Sequence, residues 1–171
     1  MKNVLWVLLL VVGNALCDGF PDIPAQDHEG KRIRLQQLTK GRVVALQFVF
    51  TDCPTACPLL GALFQGVQKR LADLSVETGP LLLTVSVNPQ RDTPTRLAAW
   101  RNKFSGGPRW HAIRLSTEDL RALQGKLGQQ GGPPSAHTTD FFLFDKSGKL
   151  IRRLDGLPSA NQVAQAIRDL E

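Results

Sequence analysis

Residues 43–58 read VVALQFVFTDCPTACP. The first half, Val43–Phe50, is an almost unbroken run of β-branched, aliphatic and aromatic side chains, which predicts a strand buried on both faces. Beyond the second cysteine, apolar side chains recur at helical spacing from Leu60 to about residue 74, which predicts an amphipathic helix. The sequence therefore predicts a central strand that carries two cysteines to the beginning of a helix.

The flanking sequence alternates between strand and helix patterns. Residues 18–29 contain two prolines and a glycine, and we expect an extended leader there. The other predicted elements are a short edge strand over Arg32–Leu35, a buried strand over Leu81–Val87, a helix from Pro94 capped by Asp92 or Thr93, a short strand over His111–Leu115, a helix that opens at Ser116, a hairpin of Phe141–Phe144 with Leu150–Leu154, and a closing helix with Ser159 and Gln162 as its capping box. This order predicts one α/β domain over residues 16–171, a thioredoxin-like sandwich in which helices flank a central mixed sheet.

The first residues have the pattern of a targeting segment. Lys2 precedes the apolar run Val4–Val12, and Gly13-Asn14-Ala15 supplies small residues for a signal peptidase. The run is shorter than the roughly 20 residues that a membrane-spanning helix needs. We therefore expect residues 1–15 to be a cleaved export signal, with a short uncleaved anchor as the alternative. Export places the protein in the periplasm or at the outer face of the inner membrane, where disulfides form.

Charge and composition exclude several classes of protein. The 171 residues carry 21 Lys+Arg against 15 Asp+Glu, which gives a net charge of +6 at pH 7. The basic residues are scattered and lack the interleaved aromatics of a nucleic-acid-binding stripe, so we expect no nucleic-acid partner. Three cysteines are too few for a disulfide-dense scaffold.

The candidate redox and metal-binding residues are Cys53 and Cys57, which follow the predicted strand at the N-terminus of a helix. Free backbone N–H groups and the helix dipole there stabilise thiolates, so we expect both pKa values to be lowered. Two soft sulfurs favour Cu(I), with Zn(II) as a competitor. A third donor is usually needed, and the candidate is His137, which follows the Gly-Gly-Pro-Pro loop at residues 131–134.

Several alternatives remain open from the residues alone. The cysteine pair would also suit a structural disulfide, a thiol–disulfide oxidoreductase that needs no metal, or a thiol peroxidase. An oxidoreductase would tolerate His137→Ala, whereas a copper protein would lose most of its metal affinity. We expect His28 and His111 to be solvated, and Asp52 to be a helix cap or a solvated acid.

Three segments of the sequence resemble the Sco (SenC-type) copper proteins. Phe48–Pro58 is similar to the family signature F-x-F-T-x-C-P-x-x-C-P, and Ser86–Pro94 is similar to S-x-D-P-x-R-D-T-P. His137-Thr138 and the hairpin after it resemble a third segment, and the likeness runs from about residue 20 to residue 171. Two positions depart from the pattern: Asn88 stands where the family usually has Asp, and Asp140 with two phenylalanines replaces a more usual aromatic-Tyr pattern.

The resemblance implies a thioredoxin-like fold that binds one copper ion through Cys53, Cys57 and His137. It also implies a role in assembling the dinuclear copper centre of cytochrome c oxidase, with subunit II as the acceptor of the copper or of reducing equivalents. The alternative is a periplasmic thiol–disulfide oxidoreductase without an obligatory metal. In both, the reduced pair is the active state, a disulfide cannot bind metal, and the thioredoxin precedent makes Cys53 the attacking thiol.

Overall fold

The computed structural model of the protein describes residues 19–129 and 139–171. These residues form one seven-stranded mixed sheet in the order β2-β1-β5-β4-β3-β6-β7. The strands are β1 Pro24–Asp27, β2 Arg32–Arg34, β3 Val44–Val49, β4 Leu81–Ser86, β5 Trp110–Arg114, β6 Phe141–Phe144 and β7 Leu150–Leu154. The helices are α1 Leu35–Thr39, α2 Ala56–Arg70, α3 Pro94–Asn102, α4 Thr117–Lys126 and α5 Ala160–Arg168. Helices α1 and α4 pack on one face of the sheet and α2, α3 and α5 on the other, which confirms the predicted α/β sandwich.

The two central strands determine where the cysteines lie. Every residue of β3 and β4 is buried, and the strands pair in parallel from Val44 opposite Leu81 to Val49 opposite Ser86. Their carboxyl ends therefore meet at one edge of the sheet, which is where α/β folds usually place their sites. Strand β6 is antiparallel to β3, with Gln47 opposite Phe141, so β6 begins at the same edge. We call this edge, where β3 and β4 end and β6 begins, the thiol end.

Helix capping follows the predicted pattern and settles one alternative. The side chain of Thr93 accepts a hydrogen bond from the backbone of Arg96, so Thr93 rather than Asp92 caps α3. Ser116 caps α4 in the same way, because its hydroxyl accepts from the backbone N–H of Asp119. The predicted capping box at the start of α5 is confirmed. These caps each satisfy an N–H group that the helix leaves without a partner.

The N-terminal segment differs from its prediction. Residues 24–27, expected to be part of an extended leader, form β1, which pairs antiparallel with β2 and β5. Their sequence, Pro-Ala-Gln-Asp, has no β-branched or aromatic residue, so tertiary pairing and not local propensity makes this strand. The edge strand predicted over Arg32–Leu35 is confirmed as β2, except that Leu35 begins the short helix α1.

Two predictions fall on residues that the structure does not describe. The export signal over residues 1–15 and the candidate ligand His137 both lie outside the described residues. Within the described ranges, no helix is long and apolar enough to cross a membrane.

Candidate functional site

The two cysteines lie at the thiol end, at the junction of β3 and α2. Cys53 lies in the connecting loop, where its backbone N–H donates to the carbonyl of Phe50 at 3.0 Å. Cys57 lies in the first turn of α2, and its sulfur accepts a hydrogen bond from the backbone N–H of Phe50 at 3.3 Å. Neither is joined in a disulfide; Cys53 is half-buried and Cys57 buried, and their side chains are hydrogen-bonded to each other. The structure therefore shows the reduced state of the pair, with both sulfurs at one point.

Cys53 has the reactive character expected of a thiol at a helix N-terminus. Partial burial opposes its ionisation, but hydrogen bonds from the backbone of Cys57 and Thr55, and from both of their side chains, together outweigh that burial. The thiolate is stabilised, and the pKa of Cys53 falls from its ordinary 9.0 to about 7. A substantial fraction of Cys53 is therefore thiolate at neutral pH, and thiolate is the nucleophile and metal ligand.

Cys57 behaves in the opposite way, which corrects the prediction that both pKa values are lowered. Burial raises the pKa of Cys57 to about 12, against the hydrogen bond from Phe50 N–H. The neighbouring Cys53 and the charge of Asp92 raise it further. Desolvation in the core of the sandwich thus outweighs the favourable helix N-terminus. At neutral pH the pair is one thiolate that accepts a hydrogen bond from one thiol.

Asp92, predicted as a candidate helix cap, is instead a buried acceptor that supports the cysteine loop. Its carboxylate is fully buried and accepts hydrogen bonds from the hydroxyl of Thr51 at 2.5 Å and from the hydroxyl of Ser86 at 2.6 Å. The backbone N–H of Thr51 lies 3.4 Å from the same carboxylate. Asp92 therefore joins the loop that carries Cys53 to the end of β4. The available signal was its position between the buried strand β4 and the Thr-Pro that opens α3.

The departure at Asn88 leaves the turn before α3 intact. The carbonyl of Asn88 accepts from the backbone N–H groups of Arg91 and Asp92, at 3.0 and 2.9 Å. Its own backbone N–H donates to the hydroxyl of Ser86 at 3.0 Å. Backbone groups make these bonds, so loss of the usual carboxylate removes a negative charge without breaking the turn.

Asp52, predicted to be a cap or a solvated acid, is exposed to solvent and also forms ion pairs. Its carboxylate contacts the guanidinium of Arg96 and lies 3.6 Å from that of Arg91. Arg91 precedes α3 and Arg96 lies in its first turn, so Asp52 ties the cysteine loop to the start of α3 from the solvent side. Because these groups are partly exposed, each pair contributes little to stability.

The described histidines are not part of the site. His28 and His111 pack ring against ring in a T-shaped contact, 5.8 Å between centroids, on β5 and the turn after β1. The prediction that they are solvated is wrong: His28 is buried, and desolvation lowers the pKa of His111 to about 4. Nowhere in residues 19–129 and 139–171 do three or more His, Cys, Asp or Glu side chains form a cluster that could hold a metal ion. Among the described residues, the soft metal donors at the site are therefore the sulfurs of Cys53 and Cys57, which suit a soft metal ion.

The residue before β6 anchors the start of that strand at the thiol end. Asp140, immediately before β6, is buried and accepts two hydrogen bonds from the guanidinium of Arg153, at 2.5 and 3.0 Å. The same carboxylate accepts from the backbone N–H of Gly156 at 2.9 Å. These contacts tie the start of β6 to the end of β7.

Comparison with known proteins gives a consistent family relationship. The family model described as SCO1/SenC matches residues 24–170. The SCO1 protein homolog of Bacillus subtilis is 25% identical over 142 residues, which are 77% of this chain and 71% of that protein. The structure of Bradyrhizobium japonicum ScoI with copper bound has a TM-score of 0.72 at 16% identity, over 90% of this chain and 99% of that one. The structure of BsSco, described as a member of the Sco family of cytochrome c oxidase assembly proteins with a disulfide switch, has a TM-score of 0.74 at 21% identity, over 89% and 94% of the two chains. The chain belongs to the SCO1/SenC family.

Proposed function

We propose that this protein is an exported copper-binding assembly factor. It holds a copper ion through Cys53, Cys57 and His137 and serves the dinuclear copper site of cytochrome c oxidase, with subunit II as acceptor. It either hands over the copper or reduces the acceptor's cysteines. The observation that carries the proposal is the contact between the Cys53 and Cys57 sulfurs at the end of the central strand, in a chain of this family.

The donor chemistry supports copper as the cargo. Thiolate sulfur prefers Cu(I) to the harder divalent ions, and Zn(II) is the main competitor. Cys57 must lose a proton to become a ligand, and its pKa of about 12 makes that loss costly without a metal. Copper binding is therefore coupled to proton release, and the site stays a thiol–thiolate pair until the ion arrives. The copper-bound Bradyrhizobium relative supports the same assignment.

Strand register supports His137 as the third ligand. Continuing the β3–β6 pairing by two residues from Gln47 opposite Phe141 puts Thr139 level with Val49, at the thiol end. Two residue steps separate His137 from Thr139, a span of at most about 7 Å. The anchored start of β6 thus leaves His137 within chain reach of the cysteine loop.

A second candidate function, thiol–disulfide exchange without obligatory metal, is favoured by the difference between the two thiols. A half-buried Cys53 with a pKa of about 7 suits nucleophilic attack on a disulfide. The buried Cys57, already in contact with Cys53, suits the resolving step. The same pair of sulfurs serves either function, and His137 distinguishes them.

Copper titration separates the two candidates. The reduced chain is titrated with Cu(I) against a competing chelator, alongside His137→Ala, Cys53→Ser and the matched control Cys17→Ser, with circular dichroism to verify folding. We expect the parent and the control to bind one equivalent of Cu(I), and His137→Ala and Cys53→Ser to lose most of their affinity for Cu(I). Full retention in His137→Ala would favour the oxidoreductase, and no binding by the parent would overturn the copper proposal.

Export is a separate part of the proposal. We propose that residues 1–15 are removed and that the mature domain, from residue 16, works in the periplasm or at the outer face of the inner membrane. The apolar run Val4–Val12 and the small residues after it support this. The mass of the chain from a periplasmic fraction tests it: a mass that starts at Leu16 is expected, and an intact N-terminus in the membrane fraction would favour the anchor.

A further inference from the structure

Thr55 occupies the N-cap position of α2 but does not act as a cap. The N-cap residues of α3, α4 and α5 have extended backbone, and each of their side chains accepts a hydrogen bond from the backbone N–H three residues later. Thr55 has φ −116° and ψ −82°, and its side chain makes no such bond. The residue three positions later is Pro58, which has no N–H to donate. The sequence itself therefore leaves the Thr55 hydroxyl available for another contact.

That contact is with the sulfur of Cys53. Thr55 Oγ1 lies 3.6 Å from Cys53 Sγ, a hydrogen-bond distance for sulfur. The backbone N–H groups of Thr55 and Cys57 donate to the same sulfur. Because a thiolate carries no proton, the hydroxyl is the donor whenever Cys53 is ionised. The Cys53 sulfur thus takes the acceptor role that a side-chain oxygen has at α3, α4 and α5, and Thr55 adds a further donor to it.

The hydroxyl at position 55 is a property of this chain and not of the family signature. The pattern F-x-F-T-x-C-P-x-x-C-P specifies Cys53, Cys57 and Pro58 but leaves position 55 open. The Thr55 side chain is exposed, so a substitution of similar size there leaves the core packing intact. Thr55 is therefore a position at which this chain can adjust a pair of cysteines that its family shares.

A hydrogen bond to the thiolate has two opposite effects on what Cys53 can do. It stabilises the ionised sulfur, which is the form that binds a metal ion. It also lowers the intrinsic nucleophilicity of that sulfur, because a more stable thiolate attacks a disulfide more slowly. A donor at this position therefore favours Cys53 as a metal ligand over Cys53 as a nucleophile.

We propose that Thr55 is a positioning residue for the thiol pair, whose hydroxyl donates to the Cys53 thiolate, holds it as a metal ligand and restrains its attack on disulfides. This inference rests on the proposed function, since it concerns the same two sulfurs. Thr55 acts through Cys53 and makes no contact of its own with the ion or the disulfide. It sets the balance between the two candidate functions of the pair.

A small uncharged disulfide, bis(2-hydroxyethyl) disulfide, measures the restraint without copper. The Cys53 thiolate attacks one of its sulfurs, the S–S bond breaks, and 2-hydroxyethanethiolate leaves with the electron pair. Cys57 then loses its proton to the solvent and attacks the Cys53 sulfur, which releases the second 2-hydroxyethanethiolate. The protein dithiol is oxidised to a disulfide and the reagent is reduced to two thiols, so atoms and electrons balance.

The experiment follows the reduced, metal-free full chain with excess reagent at about pH 9, where Cys53 is ionised and Cys57 is not. All variants carry Cys17→Ser, and mass spectrometry after acid quenching measures the loss of the reduced chain. Thr55→Val puts a methyl group where the hydroxyl was, so water does not take its place. Loss of a hydrogen bond that changes the thiolate–thiol equilibrium by a factor of about ten should speed the attack about threefold. Thr55→Ser keeps the hydroxyl and should react at the parent rate.

A true cap provides the control for stability. Ser116→Ala removes the hydroxyl that caps α4 on the other face of the sheet, so it should lower Tm by about 2–4 °C and leave the reaction rate unchanged. Thermal unfolding is measured at about pH 5, where Cys53 is protonated and the Thr55 hydroxyl has no thiolate to stabilise. Under that condition Thr55→Val should leave Tm unchanged.

Three results would overturn the role of Thr55. They are a Thr55→Val rate equal to or below that of the parent, a Thr55→Ser rate as high as that of Thr55→Val, and a loss of Tm in Thr55→Val as large as that in Ser116→Ala. Failure of copper binding would leave these rates intact, and unchanged rates would leave the copper titration intact. The two proposals therefore fail separately.

Discussion

Asp92→Ala should loosen the cysteine loop and destabilise the fold. The Asp92 carboxylate is fully buried and joins Thr51, two residues before Cys53, to Ser86 at the end of β4. Alanine removes the acceptor of both hydroxyl hydrogen bonds and leaves their donors buried. The variant therefore tests whether the geometry of the thiol end depends on this one carboxylate.

The magnitude follows from the two short hydroxyl bonds. Hydrogen bonds to a charged group contribute about 1.5–3 kcal/mol each. Relief of the cost of burying the charge offsets part of that loss, so we expect a net decrease of about 3 kcal/mol in the free energy of unfolding. For a chain of this length, that corresponds to a fall in Tm of about 6–12 °C. Denaturant unfolding of the reduced, metal-free chain, followed by circular dichroism, measures it.

A matched aspartate provides the control. Asp22 pairs with Arg34 at the surface, where both side chains are nearly half exposed, so Asp22→Ala should leave the free energy of unfolding almost unchanged. Removing the charge of Asp92 should also bring the pKa of Cys57 down toward its ordinary value, since that charge helps to raise it. A loss below about 1 kcal/mol in Asp92→Ala, with Cys57 unchanged, would refute the assigned role.

Three further outcomes are expected. When the reduced, metal-free chain is alkylated by iodoacetamide, the reaction rate of Cys53 should rise with a midpoint near pH 7, and Cys57 should hardly react below pH 9. A single midpoint shared by both cysteines would contradict these pKa values. Because the pKa of His111 is low in the folded chain, the unfolded chain takes up a proton at a higher pH than the folded chain does. The free energy of unfolding is therefore unaffected above pH 6.5 and falls by about 3 kcal/mol as the pH drops to 4. His111→Gln should flatten that part of a stability–pH curve, and an unchanged curve would show that the ring is not desolvated. Gly148 has φ +85°, and a Cβ atom there would lie 2.2 Å from the backbone nitrogen of Phe20, whereas Gly30 has φ +82° and open space around it. In thermal unfolding, Gly148→Ala should therefore lower Tm well beyond Gly30→Ala. Equal shifts in Tm would mean that the close approach at Gly148 costs nothing.

Sequence patterns predicted those parts of the fold that local chemistry dictates. Strand β3 is apolar along its whole length because both of its faces are buried, and α2 shows its buried face at helical spacing. The predicted start of α4 at Ser116 and the predicted capping box of α5 depend on side chains that act within one turn, so sequence suffices for them. The paired cysteines were predicted for the same reason, since the elements on both sides of them are strongly patterned.

The remaining features depend on contacts between distant segments, which local patterns do not show. Strand β1 has a turn-like composition and exists because β2 and β5 pair with it. The high pKa of Cys57 comes from its burial between α2 and the sheet. Asp92 accepts its hydrogen bonds because the ends of β3 and β4 lie side by side. His28, in the turn after β1, meets the ring of His111 on β5, a contact between segments that are more than 80 residues apart in the chain.

X-ray absorption spectroscopy at the copper edge tests the central claim most directly. The reduced chain is loaded with one equivalent of Cu(I), and the ligands are compared in the parent and in His137→Ala. We expect two sulfur ligands and one imidazole nitrogen in the parent, and the loss of the imidazole alone in the variant. A parent spectrum with sulfur ligands only, or one that His137→Ala leaves unchanged, would contradict the proposed copper site.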